Sequence, residues 1–213
     1  MAIISQGILG GISGKIGNVV GGSWKGIDYL RIMPASVANP QTPAQMDQRS
    51  KFITVLNFLQ YLTVFLRVSF KLYAVKMTQF NYAMSYHLKN AITGTYPDYL
   101  INWSNVLISK GPLTKAVGTA LSSPLAAQAV ITWYDNSGVG DALATDKTLV
   151  VISDENNKES VYDIGGAVRS AGTITIDLPT YYSGDEMHAY LGFISEAGPA
   201  VADSVYVGTA TIT

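Results

Sequence analysis

The sequence predicts an α+β, mostly β fold: a glycine-rich β N-terminal segment with two helices, followed by an antiparallel β-sandwich. Three observations carry this expectation. Glycine recurs every three or four residues among strand-forming side chains over residues 1–33, and apolar residues recur at helical spacing between 52 and 88. Beyond residue 128, turn signals come at intervals of roughly ten residues, the rhythm of short antiparallel strands. The 213 residues divide on this reading into 1–116, the β segment plus helices, and 117–213, the sandwich.

In the first segment Gly7, Gly10, Gly11, Gly14, Gly17, Gly21, Gly22 and Gly26 punctuate Val19, Val20, Trp24 and the run 27–32. Tyr29 and Arg31 alternate with Leu30 and Ile32, which predicts a strand with one apolar face. Residues 2–12 carry Ile3, Ile4, Ile8, Leu9 and Ile12 with almost nothing polar. Such a segment on its own is a sticky, unpaired strand, so these five are the candidate assembly residues.

Thr42, Pro43 and Gln45 form a helix start, a Thr-x-x-Gln capping box with proline at the first helical position. The helix is expected to run to about Val68. Phe52, Val55, Leu56, Leu59, Leu62 and Leu66 make its stripe, and Ile53, Phe58 and Phe65 widen it enough to predict burial on more than one side. A second helix is expected over 78–91 through Phe80, Met84 and Leu88, with Gly94 as its stop signal. A turn at 95–98, a strand over 99–109 and a linker over 111–128 follow. Strands are then expected at 129–134, 148–153, 160–164, 172–178, 187–195 and 201–212, a count that suits a sandwich of immunoglobulin or fibronectin type.

Charge narrows the class of function. Only 14% of residues are charged while 48% are hydrophobic, against about 25% charged in ordinary soluble chains. A surface so poor in charge is commonly covered by another copy of the same chain. The net charge of −1 is a cancellation. Residues 1–116 hold eleven basic against three acidic side chains, a net +8, and residues 117–213 hold three against twelve, a net −9. Opposite halves of neighbouring copies therefore attract.

Chemistry-bearing motifs are sparse. With no cysteine, thiol nucleophiles, disulfides and cysteine-ligated metals are excluded, and two histidines, His87 and His188, cannot build a multi-histidine centre. The string GGISGK at 10–15 is not a phosphate loop, because Leu9 stands where glycine is required and Ile16 where Ser or Thr is. Asp185, Glu186 and His188 share one strand end, and Asp135, Ser137 and Asp141 with Gly138 and Gly140 make an oxygen-rich loop. Strand-face and turn chemistry explain both groups without a metal. No Gly-x-Ser-x-Gly occurs, so neither enzymatic activity nor a cofactor is expected. The basic residues of the first half are dispersed, which argues against nucleic acid as a partner. The charge-free stretch 52–66 contains Thr54, Asn57, Gln60 and Thr63 and is too short to span a bilayer, and no signal peptide is visible at the start.

Several long strings carry a resemblance. GKIGNVVG at 14–21 with WKG at 24–26, NPQT at 39–42, QRSKF at 48–52 and NYAMSYHLKNAITGTYPDY at 81–99 look like an uncharacterised domain-of-unknown-function family of Bacteroidota. WYDNSG at 133–138, TDK at 145–147, GDE at 184–186 and YLGFISE at 190–196 extend the likeness over nearly the whole chain. The resemblance implies no active site, and it implies relatives in extracellular filaments or phage particles. The expected function is therefore a structural subunit that polymerises head to tail into a pilus-like fibre by N-terminal strand addition, extracellular or in a virion. A phage tail, decoration or head-fibre protein is the alternative of the same class. A carbohydrate-binding module stacking glycans on Trp133, Tyr134, Tyr181 and Tyr182 is the alternative of another.

Overall fold

The computed structural model describes residues 3–4, 11–154 and 159–213, with no side chain described for Ile4. The chain forms two compact units, Met1–Gln45 and Met46–Thr213, so the expected boundary at 116/117 falls inside the second.

The first unit is a four-stranded antiparallel meander of β1 (Ile3–Ile4), β2 (Ile12–Ile16), β3 (Val19–Trp24) and β4 (Ile27–Ile32), in that spatial order. Its last turn is a two-residue hairpin in which Lys25 and Gly26 both take positive φ, 48° and 79°, as the twist of the flanking strands favours. Gly21 is required by close approach: a Cβ there would lie 2.1 Å from the Ile12 carbonyl oxygen.

The helical run is α1 (Pro43–Leu59), a 3₁₀ turn Gln60–Leu62 and α2 (Thr63–Ser69), close to the expected span. Then α3 (Gln79–Asn90) starts at Thr78, whose hydroxyl accepts from the Asn81 N–H at 3.1 Å. Gly94 is not its stop. It sits in the hairpin of β5 (Ile92–Thr95) and β6 (Asp98–Ile101) at φ 90°, where a Cβ would meet the Asp98 carbonyl at 2.4 Å. The expected strand 99–109 ends at Ile101. Beyond it the chain is bonded to residues 202–204 instead: Ile108 N–H donates to the Ser204 hydroxyl at 2.9 Å and the Ser109 hydroxyl to the Ala202 carbonyl at 2.8 Å.

Among the described residues the sandwich has seven strands: β7 (Val117–Ser122), β8 (Gln128–Tyr134), β9 (Lys147–Asp154), β10 (Ser160–Val168), β11 (Thr173–Asp177), β12 (Glu186–Ile194) and β13 (Val205–Thr211). They form a sheet of order β10-β9-β12-β13 and a sheet of order β11-β8-β7, with antiparallel pairing throughout. The fold is thus α+β and mostly β, with an antiparallel sandwich. β7 lies inside the expected linker. Its Gly118 takes φ 62° and interrupts the pairing register with β8, which hides the strand from a periodicity reading.

Between the sheets Ile131, Trp133, Ile174 and Ile176 meet Val150, Ile152, Ala189, Leu191 and Phe193. On the other face of the larger sheet, Leu149, Val151 and Tyr190 meet Val55, Leu59, Leu62, Phe65 and Leu66 from the helical run and Ala83 and Met84 from α3. β9 and β12 are therefore covered on both faces, which is why they read as near-continuous apolar runs. Each large side chain buried there contributes about 1.5–3 kcal/mol. The helical run is covered on one side only, because Phe52, Ile53, Tyr61 and Val64 face solvent; burial on more than one side does not occur. By length and composition Pro43–Ser69 could cross a membrane, a property it shares with core helices of soluble proteins.

Candidate functional site

The first unit has a whole strand of exposed side chains, apolar ones among them. Strand alternation puts Ile27 and Tyr29 on one face of β4 and Leu30 and Ile32 on the other. All six residues of β4 are exposed, Leu30 at 59% and Ile32 at 70%, and Ile16 and Trp24 are exposed as well. The single apolar face expected for this strand is thus two solvent-facing ones. β4 is also the last strand of its sheet, and its outer edge has no ladder partner among the described residues. A long, apolar, exposed edge strand is a template for pairing with another chain.

Of the candidate assembly residues, Ile3 is 71% exposed and pairs with Ser13, while Ile4 pairs with Ile12. Ile12 is half-buried inside β2. The segment 2–12 is therefore not one free strand: its last residue belongs to the sheet that Ile3 and Ile4 pair with. Ile8 and Leu9 lie outside the described residues.

The four candidate aromatics separate. Trp133 is buried against Phe193, ring centroids 5.8 Å apart, and its indole N–H donates to the Arg169 carbonyl at 2.7 Å. Tyr182 is buried too, whereas Tyr134 and Tyr181 are 73% and 62% exposed. Both tyrosine hydroxyls of the 181–182 pair donate to Glu159 Oε2, at 2.9 and 3.0 Å. Burial, then that bond, pushes the Tyr182 phenol upward. Two of the four rings are core residues, Trp133 turned inward by the alternation of β8 and Tyr182 by the 3₁₀ turn Thr180–Tyr182, so they cannot serve as a stacking platform.

The acidic loop proves to be built around a buried cation that sequence reasoning missed. Arg169 is fully buried, its Nε 3.1 Å from Asp146 Oδ2, its guanidinium donating to Asn136 Oδ1 at 2.7 Å and to the Thr114 carbonyl at 2.9 Å, and it lies 3.9 Å over the Phe193 ring. Asp141 accepts from the Thr114 N–H at 2.8 Å, and Asp135 from Ser137. Those hydrogen bonds hold both carboxyls below the ordinary carboxylate range. No group of three or more metal-ligating side chains occurs among the described residues.

Both histidines are packed in the interior. His188 is buried, stacked on Trp103 at 4.2 Å with Nδ1 2.9 Å from the Tyr206 hydroxyl, while Glu186 stays exposed. His87 is fully buried with Nδ1 2.7 Å from the Ala83 carbonyl and Nε2 accepting from the Leu107 N–H at 3.4 Å. Burial lowers its pKa to about 4, so it is neutral at physiological pH. Residues 12–15 of the string at 10–15 lie in β2 and not in a loop before a helix.

Residues 11–208 match the model of a Family of unknown function (DUF6266), and the chain belongs to that family. Comparison with curated proteins gives no match. Among solved structures, the fn3 domain of human collagen alpha-1(XX) chain is similar at 16% identity and TM-score 0.34, over 49% of this chain and 89% of that one. The fn3 domain of human contactin 1 is similar at 9% identity and TM-score 0.33, over 49% and 84%. A computationally redesigned β-sandwich protein is similar at 14% identity and TM-score 0.34, over 48% and 94%.

Proposed function

We propose that this member of the DUF6266 family is a structural subunit that assembles head to tail into a filament through its N-terminal sheet. One observation carries the reading: residues 12–32 form an ordered sheet whose apolar side chains, Ile16, Trp24, Ile27, Leu30 and Ile32 among them, remain exposed. Ordering each residue costs about 1–2 kcal/mol of backbone entropy, and a sheet with no cover recovers little of it. A second copy laid on this unit returns about 1.5–3 kcal/mol for each large side chain it covers.

The mode of contact is strand addition. On assembly the apolar segment 2–12 of one copy exchanges the pairing that Ile3 and Ile4 make with β2 for the outer edge of β4 in the next copy, which receives it through main-chain hydrogen bonds. Donor and acceptor are different surfaces, so the contact propagates instead of closing into a dimer. Charge supports the same direction. The basic first half, with Arg49, Lys51, Arg67 and Lys89 on its helices, meets the acidic sandwich of a neighbour. An extracellular appendage and a phage tail, decoration or head fibre are the two settings that use such a subunit.

Deleting residues 1–12 is expected to leave a folded monomer that forms no fibres under negative-stain electron microscopy. Fibres from the truncated chain would refute strand addition.

A further inference from the structure

A cavity of about 180 Å³ opens in the second unit between α1, β6 and the ends of β9 and β10. Its wall combines three aromatic rings, Phe58, Tyr99 and Trp103, with the side chains of Asn57, Asp154 and Glu159. We propose that this cavity binds a single neutral saccharide ring. The proposal is independent of filament assembly, and it places glycan recognition away from Trp133 and Tyr182, which are buried.

The rings are held in place before any ligand arrives. Trp103 is stacked on His188 at 4.2 Å with 13° between planes, and the edge-to-face contact with Phe58 is 5.7 Å at 86°. Tyr99 donates its hydroxyl to Asp47, and the Lys51 ammonium sits 5.0 Å over its ring. Glu159 is anchored by the hydroxyls of Tyr181 and Tyr182. Asp154 is only 2% exposed, yet it lines the cavity. The Asn57 amide, half-buried on the same wall, has no hydrogen-bond partner among the described residues.

This lining specifies the ligand's chemistry. Carboxylates accept hydrogen bonds and the asparagine amide both donates and accepts, so the ligand must offer several donors and at least one acceptor. The aromatic walls add the need for an apolar face. A pyranose meets all three demands with its hydroxyls and its C–H face. An ammonium or guanidinium group donates but cannot accept from Asn57. The volume lies below the roughly 300 Å³ at which drug-sized sites begin, which suits one ring.

The full chain titrated with methyl glucoside, methyl galactoside, methyl mannoside and N-acetylglucosamine is expected to give a saturating calorimetric signal and a tryptophan fluorescence change with at least one. Asn57→Ala and Glu159→Gln should each weaken that binding roughly tenfold or more, as loss of a hydrogen bond to a charged or amide group does. The melting curve of Asn57→Ala should match the parent, and Tyr134→Ala should leave binding unchanged. The proposal is overturned if no saccharide saturates, if agmatine saturates where the sugars do not, or if Tyr134→Ala abolishes binding while Asn57→Ala preserves it.

Discussion

The N-terminal sheet and the larger sheet of the sandwich are made from similar strand-forming residues, yet β4 is exposed at every position while β12 is buried at seven of nine. The difference is cover, not propensity. β12 has the second sheet on one face and the helices on the other, so Met187, Ala189, Leu191 and Phe193 meet one layer and Tyr190 the other. β4 has neither. Strand-forming side chains that fold one region are, in the other, surface available to a partner.

Breaking the better covered region should have the largest effect. Arg169→Met leaves Asp146 buried without its cation and is expected to cost about 3–5 kcal/mol of unfolding free energy, read from urea denaturation. A cost below about 1 kcal/mol would mean that the guanidinium does not hold the loops around residues 114, 136 and 146 together.

The next effect comes from pH and acts only through the covered region. His87 has a folded pKa of about 4, below its ordinary 6.5, so the unfolded chain binds the extra proton first. Its contribution is fully present above pH 6.5 and is lost as pH falls toward 4, up to about 3 kcal/mol. Urea midpoints measured across that window should fall with pH, and His87→Gln should flatten the fall. An equal slope in the variant would assign it to carboxylates elsewhere.

The smallest effect on stability should accompany a complete loss of assembly. Leu30→Asp with Ile32→Asp replaces side chains that are already exposed, so the sandwich's unfolding should move by no more than about 0.5 kcal/mol. Sedimentation of the variant should nevertheless show only monomer. Fibres that survive the double substitution would show that β4 is not the receiving edge.

Much of the fold was legible locally. The apolar runs of β9 and β12, the helical spacing of α3 and the turn signals around the sandwich strands all lie within a few residues of the features they specify. β7 escaped because Gly118 breaks its alternation, and Gly94 was misassigned because a positive-φ glycine suits a helix end and a hairpin equally. The Arg169 cluster left no local sign, since its partners lie 23, 33 and 55 residues away. The cavity is likewise assembled from four separate stretches of chain.

By itself the sequence determined where the helices and most of the sandwich strands form, that charge is sorted by sign between the halves, and that no thiol or multi-histidine chemistry is available. Tertiary structure alone decided which of those faces are covered: Trp133 and Tyr182 inside, Phe52 and Val64 outside, β4 bare on both sides. Periodicity reports which residues share a face, because that follows from backbone geometry over a few residues. Whether a face meets another layer or water depends on segments far away in the chain, and no local pattern encodes it.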